Sequence, residues 1–396
     1  MRRVALAALL VVGCGAPASP ASSPEVWQTC SDGRRVERFS NACPPAPAAP
    51  LVTEPAAPAP APAPARVAPA LPPPKPTTVS LARTGDAELD AALRAGDEAF
   101  EAGDLAKAEA SYGAAKTLRP KRVAGAVGLA RVRVARAAPN LGYASAEKNK
   151  DVTAAARELA AAAKAEPAFG PALLEQGRAL LLLGDAPGAE AALVKAQAAL
   201  PEEAEAHSAL GVALLAGGKS EQAAVALTKA RDLDVGSAAR HGNLGTVLFM
   251  RSRVPEAIKE YEMQVQLAPD DARAHSDLGT ALLASQEMVR AEAELRRAIA
   301  LDPQRATFRS NLGYALQLQG KVREAVVEYR EALRLDPKLV SAWVNLATAL
   351  SRDPATRAEA RRALDSAKKL DPSDPRVKAN LEELDALEKG APAPPR

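Results

Sequence analysis

Histidines, cysteines and a recurring carboxamide are the residues of this chain whose spacing invites chemistry. His207, His241 and His275 are each separated by 34 residues. Three imidazoles on one ion would make a zinc site, which needs its ligands at ~2.0–2.1 Å. The regular interval argues otherwise. It puts each ring at the same place in a successive repeat, well over the ~8–10 Å of helix packing apart. They are read as packing residues, and no metal ligand is assigned. A second set falls on the same interval: Asn243, Asp277, Asn311 and Asn345, followed three residues later by Thr246, Thr280, Tyr314 and Thr348. A carboxamide offers one acceptor and two donors, so it can pair with a peptide backbone whatever side chains that peptide carries. Catalytic patterns are not found. No glycine-rich phosphate loop follows a strand, and no serine sits in a nucleophile elbow. The acid pairs Glu202-Glu203 and Asp270-Asp271 precede helices, where they favour the N-terminal dipole. No catalytic residue and no cofactor is assigned. The net charge of +3, from 51 basic and 48 acidic residues, gives no reason to expect a nucleic acid partner.

The elements that position these residues form a lattice. Pro167, Pro201, Pro269, Pro303 and Pro337 follow helical runs on a strict 34-residue spacing, with Val235 at the one missing point. Aligned on it, the eighth position is small: Gly96, Gly177, Gly211, Gly245, Gly279 and Gly313, with Ala130 and Ala347 as departures. The twentieth is alanine throughout, from Ala108 to Ala360. The twenty-fourth is large, Tyr112, Leu159, Leu193, Leu227, Tyr261, Leu295, Tyr329 and Leu364. The twenty-seventh is alanine except for Gln264.

This period and pattern resemble the tetratricopeptide repeat. The resemblance spans residues 86–374 and implies an all-α superhelical solenoid of about eight helical hairpins. A charge-studded helix within 375–390 then supplies a polar terminal cap, and 391–396 is a tail. Repeat two carries 13 extra residues near 139–151, placed between its two helices, and repeat eight one extra near Asp353 and Pro354. In such a stack the first helix of each repeat lines a concave surface. Asn243, Asp277, Asn311 and Asn345 then stand at the sixth position, and Thr246, Thr280, Tyr314 and Thr348 at the ninth. This resembles the asparagine ladder of repeat superhelices that bind extended peptides; the alternative is that Asn-Leu-Gly is simply a common consensus triplet. Glu175 and Ala209 take the sixth position in repeats three and four, so any binding strip is C-terminal.

The N-terminus points to a membrane. Residues 1–13 read as a signal peptide, with Arg2 and Arg3 before an apolar core at 4–12, too short to span a bilayer as a mature helix. Val11, Val12, Gly13 and Cys14 resemble a bacterial lipoprotein cleavage site, with Val11 where the family usually has leucine. The resemblance implies lipidation of Cys14, including palmitate-type acylation, and stable anchoring by more than one chain. A plain signal peptide cut near Ala16 or Ala18 is the alternative. A linker at 14–24 leads to a small hairpin at 25–43 around Asp32-Gly33. Export places Cys30 and Cys43 in an oxidising compartment, and two thiols allow one disulfide. The segment is similar to a short hairpin module of unknown function in bacterial envelope proteins. Residues 44–80 are Pro/Ala-rich, expected as a disordered polyproline II spacer reaching on the order of 100 Å at ~3.1 Å per residue. Gly15 after the anchoring cysteine resembles enteric lipoproteins sorted to the outer membrane facing the periplasm.

The function expected is therefore a lipid-anchored scaffold of the cell envelope, not an enzyme. Its partners would be other envelope proteins or peptides, and the bilayer through Cys14. Alternatives are a pilotin-like assembly factor for secretins or pili, a cell-wall tether, and an accessory subunit of a polysaccharide or cell-wall enzyme.

Overall fold

The computed structural model describes residues 27–29, 35–37, 78–137 and 144–390. Cys14 and the apolar run before it, Cys30, Cys43, residues 44–77 and the tail lie outside the described residues, and so do the lipidation and disulfide expectations. Strands β1 (Trp27–Thr29) and β2 (Arg35–Glu37) pair antiparallel, Gln28 opposite Val36.

Among the described residues the remainder is helical. The hairpins are α1 (Ala87–Glu101) with α2 (Leu105–Leu118), α3 (Ala124–Ala137) with α4 (Lys150–Ala165), and α5 (Gly170–Leu182) with α6 (Ala186–Ala199). They continue as α7 (Ala204–Ala216) with α8 (Ser220–Leu233), α9 (Ala238–Met250) with α10 (Val254–Leu267), and α11 (Ala272–Ala284) with α12 (Met288–Leu301). The last are α13 (Ala306–Leu318) with α14 (Val322–Leu335) and α15 (Val340–Leu350) with α16 (Arg357–Leu370), before a single α17 (Pro375–Glu388). None of these helices is long and apolar enough to cross a membrane.

Each hairpin closes because one residue is small where its partner is large. A Cβ on Gly177 would lie 2.3 Å from Leu193, and one on Gly313 would lie 2.7 Å from the Tyr329 ring. The eighth and twenty-fourth positions therefore interlock, and in six hairpins a bare α-carbon, in the other two Ala130 and Ala347, lets the helices approach. The alanines of the twentieth position are completely buried at this crossing. Neighbouring first helices touch one another along the stack, whereas second helices touch only first helices. The first helices form the inner layer, and a groove runs along them.

Two boundaries differ from those expected. The insertion of repeat two was expected to reach Asp151, but α4 begins at Lys150, because the Asn149 side chain accepts from the Asp151 and Val152 amides and caps it. The residues before it are pinned: Ala144 N–H donates to Leu181 O (2.9 Å) and Ala146 N–H to Leu182 O (2.8 Å), satisfying carbonyls at the end of α5. The spacer, expected to continue through 80, ends sooner, since Val79 and Leu81 are buried in the stack. At the other end, α17 lays Val377, Leu384 and Leu387 on the last hairpin, and Arg361 pairs with Asp385 and Glu388.

Candidate binding groove

The groove has two chemically distinct parts. In repeats one to three it is filled. Residues 78–84 run antiparallel to α1 along the inner face: Thr78 Oγ1 donates to Glu101 at the C-terminal end of that helix, and Thr84 bonds Asp90 near its start. The groove grips the strap by its backbone. Leu81 N–H donates to Asp97 Oδ2 (2.8 Å), and Arg131 Nη2 donates to Val79 O (2.8 Å). Alternate side chains, Val79 and Leu81, are buried, as an extended segment requires.

The gripping residues form a buried charge cluster. Asp97 accepts from Ser80 Oγ (2.8 Å), the Leu81 amide, Tyr112 Oη (2.7 Å) and Arg131 Nη1 (3.1 Å). Arg131 also donates from Nε to Glu175 (2.9 Å) and lies 5.7 Å from the centre of the Phe100 ring. Burial alone would push the guanidinium pKa down, but Glu175, Tyr112 and Asp97 outweigh it and hold it above the usual arginine range. Burial likewise works to raise Glu175, and the Arg131 charge overcomes it and holds the carboxyl low. Ion pairs continue along the inner helices, from Arg178 to Glu205 (3.5 Å) and from Arg240 to Glu205 (2.7 Å).

In repeats five to eight the inner face is nearly neutral. Asn243, Thr246, Asp277, Thr280, Asn311, Tyr314, Asn345 and Thr348 are all half-buried on α9, α11, α13 and α15. The structure brings some of them together. Asn311 Nδ2 donates to Thr280 Oγ1 (3.2 Å), across one repeat boundary, and Asn243 Nδ2 donates to Ser208 Oγ (3.3 Å), across another. Thr246, Thr280 and Thr348 donate back to carbonyls one turn earlier, and Tyr261 Oη donates to Thr246 Oγ1 (3.2 Å). The ladder thus stitches neighbouring helices while leaving its amide oxygens uncommitted. Asn345 Nδ2 is buried with no hydrogen-bond partner among the described residues. Burial pushes the Asp277 carboxyl up to about 6, with Arg273 opposing and Asp271 adding to the shift. Burial, and next the Asp277 charge, raise the Tyr261 phenol.

The histidines are held apart, each as a strut. Their Nε2 atoms meet the carbonyls of Pro201 (2.8 Å), Val235 (3.1 Å) and Pro269 (2.9 Å), and Trp343 Nε1 donates to Pro337 O (2.9 Å) in the same way. The other nitrogens of His241 and His275 meet Glu260 and Glu294, both at 2.7 Å. Arg309 repeats that contact with Glu328 at 3.0 Å. Among the described residues no three metal-capable side chains come together.

A family model for the tetratricopeptide repeat matches residues 174–238, 208–271, 244–306 and 310–375, together half of the chain. The chain belongs to the tetratricopeptide repeat (TPR) family. TPR proteins generally bind peptides or other proteins. No curated protein matches the sequence. A solved TPR-like chain in the APC/C hetero-tetramer Cut9-Hcn1 is 15% identical, with 77% of this chain and 57% of that one covered at a TM-score of 0.57, which shows the fold. This chain therefore spans little more than half the length of that one. PilF of Pseudomonas aeruginosa is 20% identical over 55% of this chain and 98% of its own, TM-score 0.47. YrrB, described as a TPR protein with an unusual peptide-binding site, is 22% identical over 48% and 97%, TM-score 0.38.

Two features of this TPR groove escaped the sequence reading. The spacer expected at 44–80 takes in residues 78–80 of the strap and leaves 81–84 unassigned, although alternating Val79 and Leu81 just after the proline-rich run were its signal. The charge cluster had one as well: Asp97 and Arg131 take the ninth position of consecutive repeats, where repeats five to eight carry Thr or Tyr.

Proposed function

We propose that the protein is a membrane-anchored scaffold of a bacterial cell envelope, without a catalytic site, that holds extended segments of partner proteins in the TPR groove of repeats five to eight. One observation carries the binding part. The same inner face, in repeats one to three, already holds an extended segment by its backbone, through Asp97 and Arg131 at the ninth position, with Glu175 at the sixth bracing Arg131. In repeats five to eight the ninth position carries Thr246, Thr280, Tyr314 and Thr348, and the sixth, one turn earlier on the same face, carries Asn243, Asp277, Asn311 and Asn345. The anchoring part is supported by the apolar run ending at Cys14.

The test of the groove is photo-crosslinking in intact cells from residues beside the ladder. The Asn243→Ala, Asn311→Ala, Asn345→Ala triple variant is expected to lose at least about tenfold of the crosslinked partner. Removal of two half-buried hydrogen bonds costs about 1 kcal/mol each, so the variant remains folded. Undiminished crosslinking would refute the groove reading. Cys14→Ser tests the anchor separately: the chain should move from the detergent phase to the aqueous phase on Triton X-114 partition, since loss of acyl chains removes roughly 0.8 kcal/mol of affinity per buried methylene. Retention in the detergent phase would refute lipidation there.

A further inference from the structure

The filled part of the groove shows what an inner-face carboxylate requires. Asp97 has four donors: a hydroxyl and an amide from the strap, the Tyr112 phenol from the second helix of its own repeat, and Arg131 from the next inner helix. Two come from the bound segment, and one of the others is a cation.

Asp277 stands on the same inner face, at the sixth position of repeat six. It makes no hydrogen bond with any described donor, although it is half-buried and each of the other ladder residues at its position is a neutral asparagine. The neighbouring inner helices offer it no equivalent of Arg131: one repeat on from Asp277 stands Asn311, and the ninth position of the repeat before it, where Arg131 stands relative to Glu175, is Thr246. The charged and titratable groups acting on it are Arg273 and Asp271, from its own helix and that helix's N-cap, and Tyr261 from α10. Arg273 is exposed, one turn away, and forms no ion pair with it. The nearby phenol of Tyr261 is committed to Thr246. A carboxylate so placed is uncompensated, and its high pKa records the cost of charging it there.

We propose that Asp277 is the receptor for a basic residue, lysine or arginine, presented by an extended partner segment lying in the groove of repeats five to seven. The proposal rests on the groove reading above and adds the partner's chemistry to it. Asn243 and Asn311, one repeat to either side, hold the backbone of the segment, as Asp97 and Arg131 hold the strap. The basic side chain supplies the cation that Arg131 supplies to Asp97. An acidic residue at that place in the partner is excluded by like charge, and an apolar one leaves the carboxylate uncompensated.

The test uses the full chain and a random dodecapeptide library displayed on phage. Selected peptides are synthesised with their basic residue intact or replaced by norleucine, and binding is read by fluorescence anisotropy. Selection on the wild-type chain should yield peptides with a lysine or arginine at one fixed place. The norleucine replacement should weaken binding to the wild type by about tenfold or more, and binding to Asp277→Asn by far less. Affinity of the basic peptide for the wild type should rise between about pH 5 and pH 7 as the carboxyl ionises, and Asp277→Asn should lack that rise. Asn311→Ala should weaken both peptides. If the peptides depend on Asn311 but bind Asp277→Asn as tightly, with no fixed basic residue, the basic-residue assignment is overturned and the groove reading stands. If no peptide depends on the ladder, the groove reading falls and takes the assignment with it.

Discussion

Arg131→Met is expected to lower the stability of repeats one to three by about 3–5 kcal/mol, because it leaves two buried carboxylates without their cation. The guanidinium is only 3% exposed and reaches Asp97, Glu175 and the Val79 carbonyl at once. Methionine fills much of the volume and replaces none of those donors. Arg131→Lys should recover only part of the loss, since an ammonium on a flexible stem cannot serve three acceptors in a planar fork. The triple variant Asp97→Asn, Arg131→Met, Glu175→Gln should be far closer to wild type than the single one, because it removes the charges together. A TPR stack is held by nearest-neighbour contacts, so the damage should stay local. Urea unfolding followed by hydrogen exchange should show amides of α1 to α5 opening early and those of α11 to α16 unchanged. A single transition with an unmoved midpoint would refute this account of the cluster.

What the sequence revealed and what it hid have the same cause. The lattice was legible because the contacts that fix a TPR hairpin lie within one repeat and recur. Gly313 faces Tyr329 as Gly177 faces Leu193, so each repeat restates the rule. The spacing of His207, His241 and His275 was enough to separate them. Their hydrogen bonds to the carbonyls ending the previous repeat became visible only in three dimensions, although the pairing of His241, His275 and Arg309 with Glu260, Glu294 and Glu328 recurs at an interval of 19 residues. Where the second member is Ala226, His207 turns to Gln197 instead. The strap and its cluster have no such recurrence. Val79, Asp97, Arg131 and Glu175 are distant in sequence and meet once. The composition of 44–77 also concealed where the apolar residues of the strap begin. The ladder positions follow from the repeat register, but register does not reveal that Asn243 and Asn311 spend one donor on a neighbouring helix, or that Asp277 accepts none from the described residues.

The strap supplies the second large effect. Leu81 is completely buried at the groove, and its amide is one of the four donors to Asp97. Leu81→Ala deletes buried apolar atoms at a cost of about 2–5 kcal/mol where the site cannot collapse. The strap precedes the first helix, so its release is a local opening rather than global unfolding. Trypsin reports it through Arg83, whose side chain pairs with Glu203 at the start of α7 while its backbone is held in the docked segment. A loss of about 2 kcal/mol raises the open population roughly thirtyfold, and cleavage after Arg83 should accelerate by a similar factor. Cleavage at Arg352, in the turn of repeat eight, should keep its wild-type rate. An equal rate at Arg83 in both proteins would mean that Leu81 does not hold the strap. Release has a further consequence in the groove itself. Asp97 then loses the Ser80 and Leu81 donors, and the backbone-gripping side chains of repeats one to three become free for another extended chain. In the intact protein the strap keeps that part of the groove closed, so the proposed partner segment would find the carboxamides and the unmatched carboxylate of repeats five to eight.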